Sequence, residues 1–179
     1  GAIENTGLKR FAVCQHIDGS DWKAVKEERR EIIDFLIDYA MKNPEMEVVT
    51  EQLYDDGVYL LQRVAEHEPE LAVEMEKLLA RQGGCPAGDR IVNVDYRGNV
   101  HLCPYWQYRT IGNIREQKLS DICFDEENEI LAMMKDKTQH LKGKCGRCMH
   151  KHLCRGCGAR AEEMCGDLFG TDPACYLTE

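Results

Sequence analysis

The chain has 179 residues, enough for one ordinary domain or for a small domain and part of another. Its formal net charge of −9 argues against nucleic-acid binding, which needs a basic surface. No apolar run approaches the roughly 20 residues of a membrane span, so no membrane partner is expected. The N-terminal sequence lacks the apolar core of a signal peptide, and we therefore expect a cytoplasmic protein.

The first fifty residues predict a strand, a helix and a second strand. Residues 9–17 are a short apolar run, and residues 24–43 carry apolar side chains at three- and four-residue spacing. Residues 47–50 form the second strand. This order favours a parallel β-α-β unit. One such unit cannot close a sheet, so we expect residues 1–53 to be the end of a larger α/β domain.

Two helices are predicted in residues 54–84, which we interpret as a helical linker. One begins near Asp55, and the next begins at Pro69, a residue favoured at the first helical position. Gly83 and Gly84 end the second helix. Composition changes after this point, because nine of the ten cysteines lie from Cys85 onward while the acidic excess lies before it.

Residues 90–102 predict a β-hairpin that turns near Gly98. An antiparallel hairpin brings its two ends together. Cys85 and Cys103, which flank it, are therefore expected to be neighbours in space. A single helix is predicted from Leu119 to about Lys135.

Residues 145–157 are the most cysteine-rich stretch, with a C-x2-C-x5-C-x2-C spacing. A C-x2-C turn places two thiolates on one side of a tight loop, where they can bind one metal centre. The stretch is basic, and no acidic residue occurs between Lys137 and Ala161. Nearby cations favour deprotonated cysteines and offset the negative charge of a thiolate-ligated cluster. Without a secretion signal, such cysteines indicate metal binding rather than disulfides.

The cysteine pattern resembles the SPASM domain, the auxiliary-cluster module at the C-terminus of many radical S-adenosylmethionine enzymes. The family pattern is C-x9–15-G-x4-C, then C-x2-C-x5-C-x3-C, then a last cysteine. Here two residues rather than three precede the cysteine that ends the second part. The matching positions are Cys85, Gly98, Cys103, Cys145, Cys148, Cys154, Cys157 and Cys175.

Three further segments resemble the branch of that family that makes heme d1 or makes haem by an alternative, siroheme-derived route. They are residues 55–60 (DDGVYL), 110–116 (TIGNIRE) and 172–177 (DPACYL). The resemblance implies an α+β fold. Residues 1–53 would be the C-terminal remnant of a radical S-adenosylmethionine barrel, residues 54–84 the linker, and residues 85–179 the SPASM domain.

The resemblance implies two auxiliary 4Fe–4S clusters. Cys145, Cys148, Cys154 and Cys175 would bind one cluster. Cys85, Cys103 and Cys157 would bind the second, whose cysteine shell would be incomplete because no cysteine lies just before the hairpin. Zinc held by the same cysteines is the alternative, above all in an aerobic preparation, although zinc knuckles are usually separated by roughly 15–20 residues.

None of the cysteines has the C-x3-C-x2-C spacing that holds the reactive cluster of such enzymes. We therefore expect S-adenosylmethionine and a third 4Fe–4S cluster to bind in a missing N-terminal part, and this chain alone to be inactive. Cys165 fits no position of the pattern and is expected to be a free thiol. Cys14 and Cys123 are interpreted as apolar core thiols.

The histidines are interpreted separately. His16 follows a presumed barrel strand, where catalytic side chains gather, and is a candidate for substrate contact. His101, next to Cys103, is expected to support a metal ligand by hydrogen bonding. His140, His150 and His152 are expected to be surface residues.

The resemblance implies an oxidoreductase that modifies an acetate or propionate side chain of a tetrapyrrole, with an electron donor such as a ferredoxin or flavodoxin. The basic residues around Cys145 to Arg160 would face substrate carboxylates. Two other functions are considered: a radical S-adenosylmethionine maturase of peptides or proteins, and a non-catalytic zinc-binding interaction module.

Overall fold

The computed structural model describes residues 10–14, 22–51 and 54–177. Helices are combined with two small sheets, in agreement with the α+β class. In chain order the elements are β1 (Arg10–Cys14), α1 (Trp22–Lys42), β2 (Glu47–Glu51), α2 (Tyr54–His67), α3 (Pro69–Gln82), β3 (Asn93–Val94), β4 (Asn99–His101), β5 (Thr110–Asn113), α4 (Leu119–Cys123), α5 (Glu129–Lys135), α6 (Lys137–His140), α7 (Gly143–Arg147), α8 (Lys151–Cys154) and α9 (Gly158–Cys165).

The β-α-β unit predicted at the start of the chain is present. Strands β1 and β2 pair in parallel, with Arg10 opposite Glu47, and α1 connects them. Membership of this unit in a barrel stays a prediction. His16 lies outside the described residues, and so does the side chain of Cys14.

The two helices predicted in residues 54–84 are present as α2, which begins at Tyr54, and α3. Helix α3 has Pro69 in its first turn and ends at Gly83, whose φ of 68° is left-handed. An apolar core attaches α2 and α3 to the cysteine-rich part of the chain. Its buried members are Val58, Leu61, Ala72, Leu153, Cys175 and Leu177.

The predicted hairpin is also present, as β3 paired antiparallel with β4. A third strand, β5, pairs antiparallel with β4 and was not predicted. It packs against α4 through Gly112, where a Cβ atom would lie 2.8 Å from Ile122. Four residues with one glycine give too weak a pattern to predict a strand from sequence.

The prediction of one helix from Leu119 to Lys135 is wrong, because α4 and α5 are separate. Side chains between them bind the local backbone instead of allowing a helix to continue. The Asp125 carboxylate accepts a hydrogen bond from the Glu127 backbone N–H (2.9 Å), and the Asn128 side chain caps α5 by accepting one from the Leu131 N–H (3.2 Å). Cys123 at the end of α4 is half-buried rather than fully buried.

The second half of the chain folds around another apolar core. Its buried members are Ala87, Leu102, Trp106, Leu131, Met134, Ala159 and Phe169. This core joins the hairpin to α5 and α9. Among the described residues, no helix combines the length and the apolar character needed to cross a membrane.

Candidate metal centre

Four of the predicted ligands line one small cavity: Cys145, Cys148, Cys154 and Cys175, called here the four-thiol group. Cys145 lies in α7, Cys148 directly follows that helix, and Cys154 ends α8. The C-terminal segment then brings Cys175 to the same cavity. The other lining residues are Leu141, Lys144, Lys151, Gly156 and Leu177.

Backbone groups position the sulfur of Cys145. The Asp172 backbone N–H donates a hydrogen bond to the Cys145 Sγ (3.4 Å). Gly156 passes on the other side, where a Cβ atom would lie 3.5 Å from that sulfur. Thus the segments on both sides of the cavity are fixed relative to this thiol.

Burial raises the pKa of three members of the four-thiol group, Cys145, Cys154 and Cys175. It raises the pKa of Cys175 to about 11 and that of Cys154 well above its usual value. Burial also raises the pKa of Cys145, which the Asp172 N–H and the Lys137 ammonium oppose. These thiols are therefore protonated at neutral pH when no metal is bound, and ligation displaces protons.

The remaining predicted ligands, Cys85, Cys103 and Cys157, are called here the three-thiol group. All three pack against the core formed by the hairpin, α5 and α9. The Gly88 backbone N–H donates to the Leu102 carbonyl (2.9 Å), so the two ends of the hairpin meet as predicted.

The members of the three-thiol group also affect one another's protonation. Burial raises the pKa of Cys157 to about 12 and also raises that of Cys103, and the nearby Cys85 adds to both increases. The shared core and the meeting of the hairpin ends thus place near one another the three residues that the resemblance assigns to a second centre.

A two-residue turn directs Cys154 and Cys157 to different groups. Arg155 (φ 64°) and Gly156 (φ 57°) between them are both left-handed, which is uncommon for arginine. The Arg155 guanidinium stabilises the turn by donating to the Asp89 carboxylate (2.6 Å) and to the Met134 carbonyl (2.7 Å). This turn is the segment in which the chain has two residues where the family pattern has three.

The two groups adjoin through a close backbone contact. The Cys85 backbone N–H donates to the Cys154 carbonyl (3.0 Å). At Gly84 (φ 60°) a Cβ atom would lie 2.6 Å from the carbonyl oxygens of Leu153 and Cys154, so only glycine fits there.

A buried ion pair connects the same region to the C-terminal segment. Arg160 donates to both carboxylate oxygens of Asp172 at 2.8 and 2.5 Å, and both residues are buried. The Arg160 charge also lowers the pKa of Cys157, partly offsetting the effect of burial. The pair thus connects the helix that follows Cys157 to the C-terminal segment, in which the Asp172 N–H donates a hydrogen bond to the Cys145 sulfur.

A second buried ionic cluster fixes α1 to α2 and to the C-terminal segment. Arg29 lies 2.8 Å from the Asp56 carboxylate and 3.2 Å from that of Asp55. The Tyr176 hydroxyl donates to Asp56 (2.6 Å). Sequence reasoning did not identify these contacts, although Asp55, Asp56 and Tyr176 lie in the segments DDGVYL and DPACYL that carried the resemblance.

The interpretation that the cations around Cys145 to Arg160 face substrate is wrong for Arg155 and Arg160. Arg155 and Arg160 are 8% and 3% exposed and bind the acids named above. Lys144 donates to the Leu177 carbonyl (2.5 Å), and Lys151 to the Gly146 carbonyl (3.2 Å). These cations stabilise the loops around the cavity.

The other chemically active side chains lie apart from the two groups. His101 is 2% exposed, with Nδ1 2.9 Å from the Arg109 carbonyl and Nε2 3.3 Å from the Asp95 carboxylate. Both ring nitrogens thus serve the sheet, and neither supports a cysteine. Cys165 is exposed, as expected of a free thiol, and the exposed His152 lies 3.7 Å from Glu76.

The donor set of the four-thiol group fits an iron–sulfur cluster. A cubane cluster is bound by four thiolates on separate irons, so its ligands surround a cavity. Cys145, Cys148, Cys154 and Cys175 line one cavity in this way.

Comparison with known proteins identifies the domain. Residues 85–149 match the SPASM iron–sulfur cluster-binding domain. The chain is 34% identical over 161 residues to the Fe-coproporphyrin III synthase of Methanosarcina barkeri, covering 86% of this chain and 40% of that protein. It is 33% identical over 156 residues to the pre-heme d1 synthase of Dinoroseobacter shibae, covering 83% and 38%.

A third relative, the AdoMet-dependent heme synthase of Methanosarcina barkeri, is 37% identical over 106 residues, covering 59% of this chain and 29% of that protein. The chain thus spans 40% or less of the length of these curated relatives. No solved structure matches it significantly. Residues 85–149 thus match a SPASM domain, and the chain is similar to proteins named as synthases of Fe-coproporphyrin III, pre-heme d1 and heme, which confirms the resemblance drawn from its cysteines.

Proposed function

We propose that this chain is the auxiliary iron–sulfur region of a radical S-adenosylmethionine oxidoreductase that modifies a tetrapyrrole side chain. The observation that carries the proposal is the cavity lined by Cys145, Cys148, Cys154 and Cys175 within a SPASM chain. The names of the relatives support a tetrapyrrole rather than a peptide as substrate.

The proposed organisation has three parts. Residues 1–53 are the end of the radical-enzyme barrel, residues 54–84 the helical linker, and residues 85–179 the SPASM domain. The parallel pairing of β1 with β2 supports the first assignment. The apolar core between α2, α3 and α8 supports a linker fixed against the SPASM domain.

Each thiol group is proposed to hold one 4Fe–4S cluster, and such a cluster supplies one-electron transfer when bound. In the four-thiol group, Leu141 and Leu177 line the cavity and limit the access of water, while Lys144 and Lys151 place positive charge beside the thiolates. In the three-thiol group, Arg160 provides the positive charge, because it lowers the pKa of Cys157 against the effect of burial.

The second cluster is proposed to have one corner without a cysteine. Of the cysteines with described side chains, Cys165 is exposed and Cys123 does not pack on the core that carries the three-thiol group. An open position separates catalytic metal centres from structural ones. A substrate carboxylate is therefore a candidate ligand for this corner.

The 179 residues contain no C-x3-C-x2-C motif. The reactive cluster and the S-adenosylmethionine site are therefore assigned to another part of the enzyme. A further part of the enzyme supplies S-adenosylmethionine binding and a third cluster, and a ferredoxin or flavodoxin supplies electrons in the cytoplasm. Incubation of the reconstituted chain with S-adenosylmethionine and dithionite should yield no 5′-deoxyadenosine. Formation of that product at enzymatic rates would show that the chain is catalytically complete.

The proposal is tested by metal analysis of protein that is made and reconstituted without oxygen. We expect about eight irons and about eight sulfides per chain, corresponding to two cubane clusters. Binding of zinc alone, with no iron under these conditions, would instead favour a zinc-binding interaction module.

A further inference from the structure

Lys137 is a buried cation without an acidic partner. It is 1% exposed at the beginning of α6, and its ammonium donates to the Gly156 carbonyl (2.9 Å). Among the residues that the structure describes, no carboxylate lies within 4.0 Å of this ammonium. The other two buried cations beside the thiol groups differ, because Arg155 binds Asp89 and Arg160 binds Asp172.

Lys137 lies between the two thiol groups. The carbonyl that it binds belongs to Gly156, within the turn that separates Cys154 from Cys157. Gly156 itself lines the cavity of the four-thiol group, where a Cβ atom would lie 3.5 Å from the Cys145 sulfur, and Cys157 of the three-thiol group directly follows it. The ammonium therefore binds a backbone carbonyl at the point where the two groups adjoin.

A buried ammonium with a single neutral hydrogen-bond partner is strongly unfavourable unless an anion accompanies it. Thiolate-ligated clusters supply such an anion, since the ligated cysteines are deprotonated and the whole cluster is negative. The buried position of Lys137 therefore becomes favourable when both thiol groups hold their metal.

We propose that Lys137 is the shared counter-ion of the two thiol groups, stabilising the negative charge of both bound clusters and raising both reduction potentials. The inference rests on the proposed function, because it takes clusters as the occupants. The direction follows from charge: an added electron makes a cluster more negative, so a nearby cation favours the reduced state. Lys137 is a positioning residue for charge and does not ligate iron.

Four variants separate charge from packing. Lys137→Met removes the charge and the hydrogen bond, Lys137→Gln removes the charge but keeps a donor for Gly156, and Lys137→Arg keeps the charge. Lys135→Met is the matched control, since Lys135 is exposed two residues away on α5. Each variant is reconstituted anaerobically, and both clusters are titrated with dithionite while electron paramagnetic resonance is recorded.

The Met and Gln variants should shift the reduction equilibrium of both clusters at least tenfold toward the oxidised form, which is about 59 mV for a one-electron couple. In the Arg variant and the Lys135→Met control, the reduction equilibrium of each cluster should change less than tenfold. Unchanged potentials in the Met and Gln variants would overturn the proposal. A shift confined to one cluster would contradict a shared role, and equal loss of iron from all three Lys137 variants would assign Lys137 to packing.

Iron analysis of the reconstituted wild type separates this proposal from the proposed function. A wild-type chain that binds no iron would overturn the proposed function, whatever the Lys137 variants do.

Discussion

The two thiol groups are built in different ways. The four-thiol group takes three of its members from the ten consecutive residues 145–154, which form two short helices and the loop between them. The three-thiol group takes Cys85, Cys103 and Cys157 from distant segments that meet only through the hairpin and its core. The first group thus depends mainly on local structure, and the second depends on long-range packing. Perturbing the long-range packing should therefore reduce iron binding in the three-thiol group more than in the four-thiol group.

The largest effect is expected from removing a ligand of the four-thiol group. Cys148→Ala should remove about four irons per chain and unfold the loops around the cavity, because metal binding and folding are coupled in small metal domains. Iron analysis and circular dichroism measure both effects. Cys123→Ala and Cys14→Ala are the controls and should retain all iron. Equal loss from Cys123→Ala would show that the ligand assignment is wrong.

A smaller effect is expected from breaking the buried ion pair between Arg160 and Asp172. This pair contacts segments of both thiol groups, so its loss should lower the stability of the region around both. Asp172→Asn removes the two hydrogen-bonded carboxylate oxygens from the buried Arg160 guanidinium and leaves only Asp55, 4.0 Å away, which should cost about 3–5 kcal/mol in the free energy of unfolding. Asp167→Asn is the control, because Asp167 forms an exposed pair with Lys142 at 2.7 Å and its loss should cost less than about 1 kcal/mol. Chemical denaturation of both variants compares them, and equal stability losses would argue against a special role for the buried pair.

The contact at Gly84 tests the dependence of the three-thiol group on packing. Gly84→Ala should displace Cys85 and reduce iron in the three-thiol group, because its Cβ atom would lie 2.6 Å from two carbonyl oxygens. Gly166→Ala is a matched control, since Gly166 has a similar φ of 69° but nothing within 4 Å of its Cβ position. Both substitutions carry backbone strain of about 1–3 kcal/mol. Only Gly84→Ala should lose iron, and an equal loss in the control would attribute the effect to strain alone.

The smallest expected effect is a change in a spectroscopic signal when a ligand is added. It tests whether one iron of the cluster in the three-thiol group lacks a cysteine ligand. Cyanide or a tetrapyrrole carboxylate should perturb the electron paramagnetic resonance signal of the reduced cluster in the three-thiol group. The signal of the four-thiol group should not change, because four cysteines complete its shell. Cys165→Ala should leave both signals intact. If cyanide and the carboxylate leave the signal of the three-thiol group unchanged, and Cys165→Ala disrupts it, then Cys165 is the fourth ligand and the site is closed.

Sequence predicted some of these features better than others. Three members of the four-thiol group were predictable because their spacing is local, whereas Cys175 was assigned only through the resemblance. The proximity of Cys85 to Cys103 followed from the hairpin. The break between α4 and α5 was missed because apolar periodicity does not register side chains that bind the local backbone, such as Asn128. Lys137 was also missed, because an isolated lysine is usually exposed and its burial arises only from tertiary packing.

The central claim is that the two thiol groups hold separate clusters, and paired ligand variants test it most directly. Cys85→Ala and Cys154→Ala are reconstituted anaerobically, reduced, and compared with wild type by electron paramagnetic resonance and iron analysis. The account predicts that Cys154→Ala lacks one signal, that Cys85→Ala lacks or alters the other, and that the signals retained by the two variants together reproduce the wild-type spectrum. Loss of the same signal from both variants would contradict it.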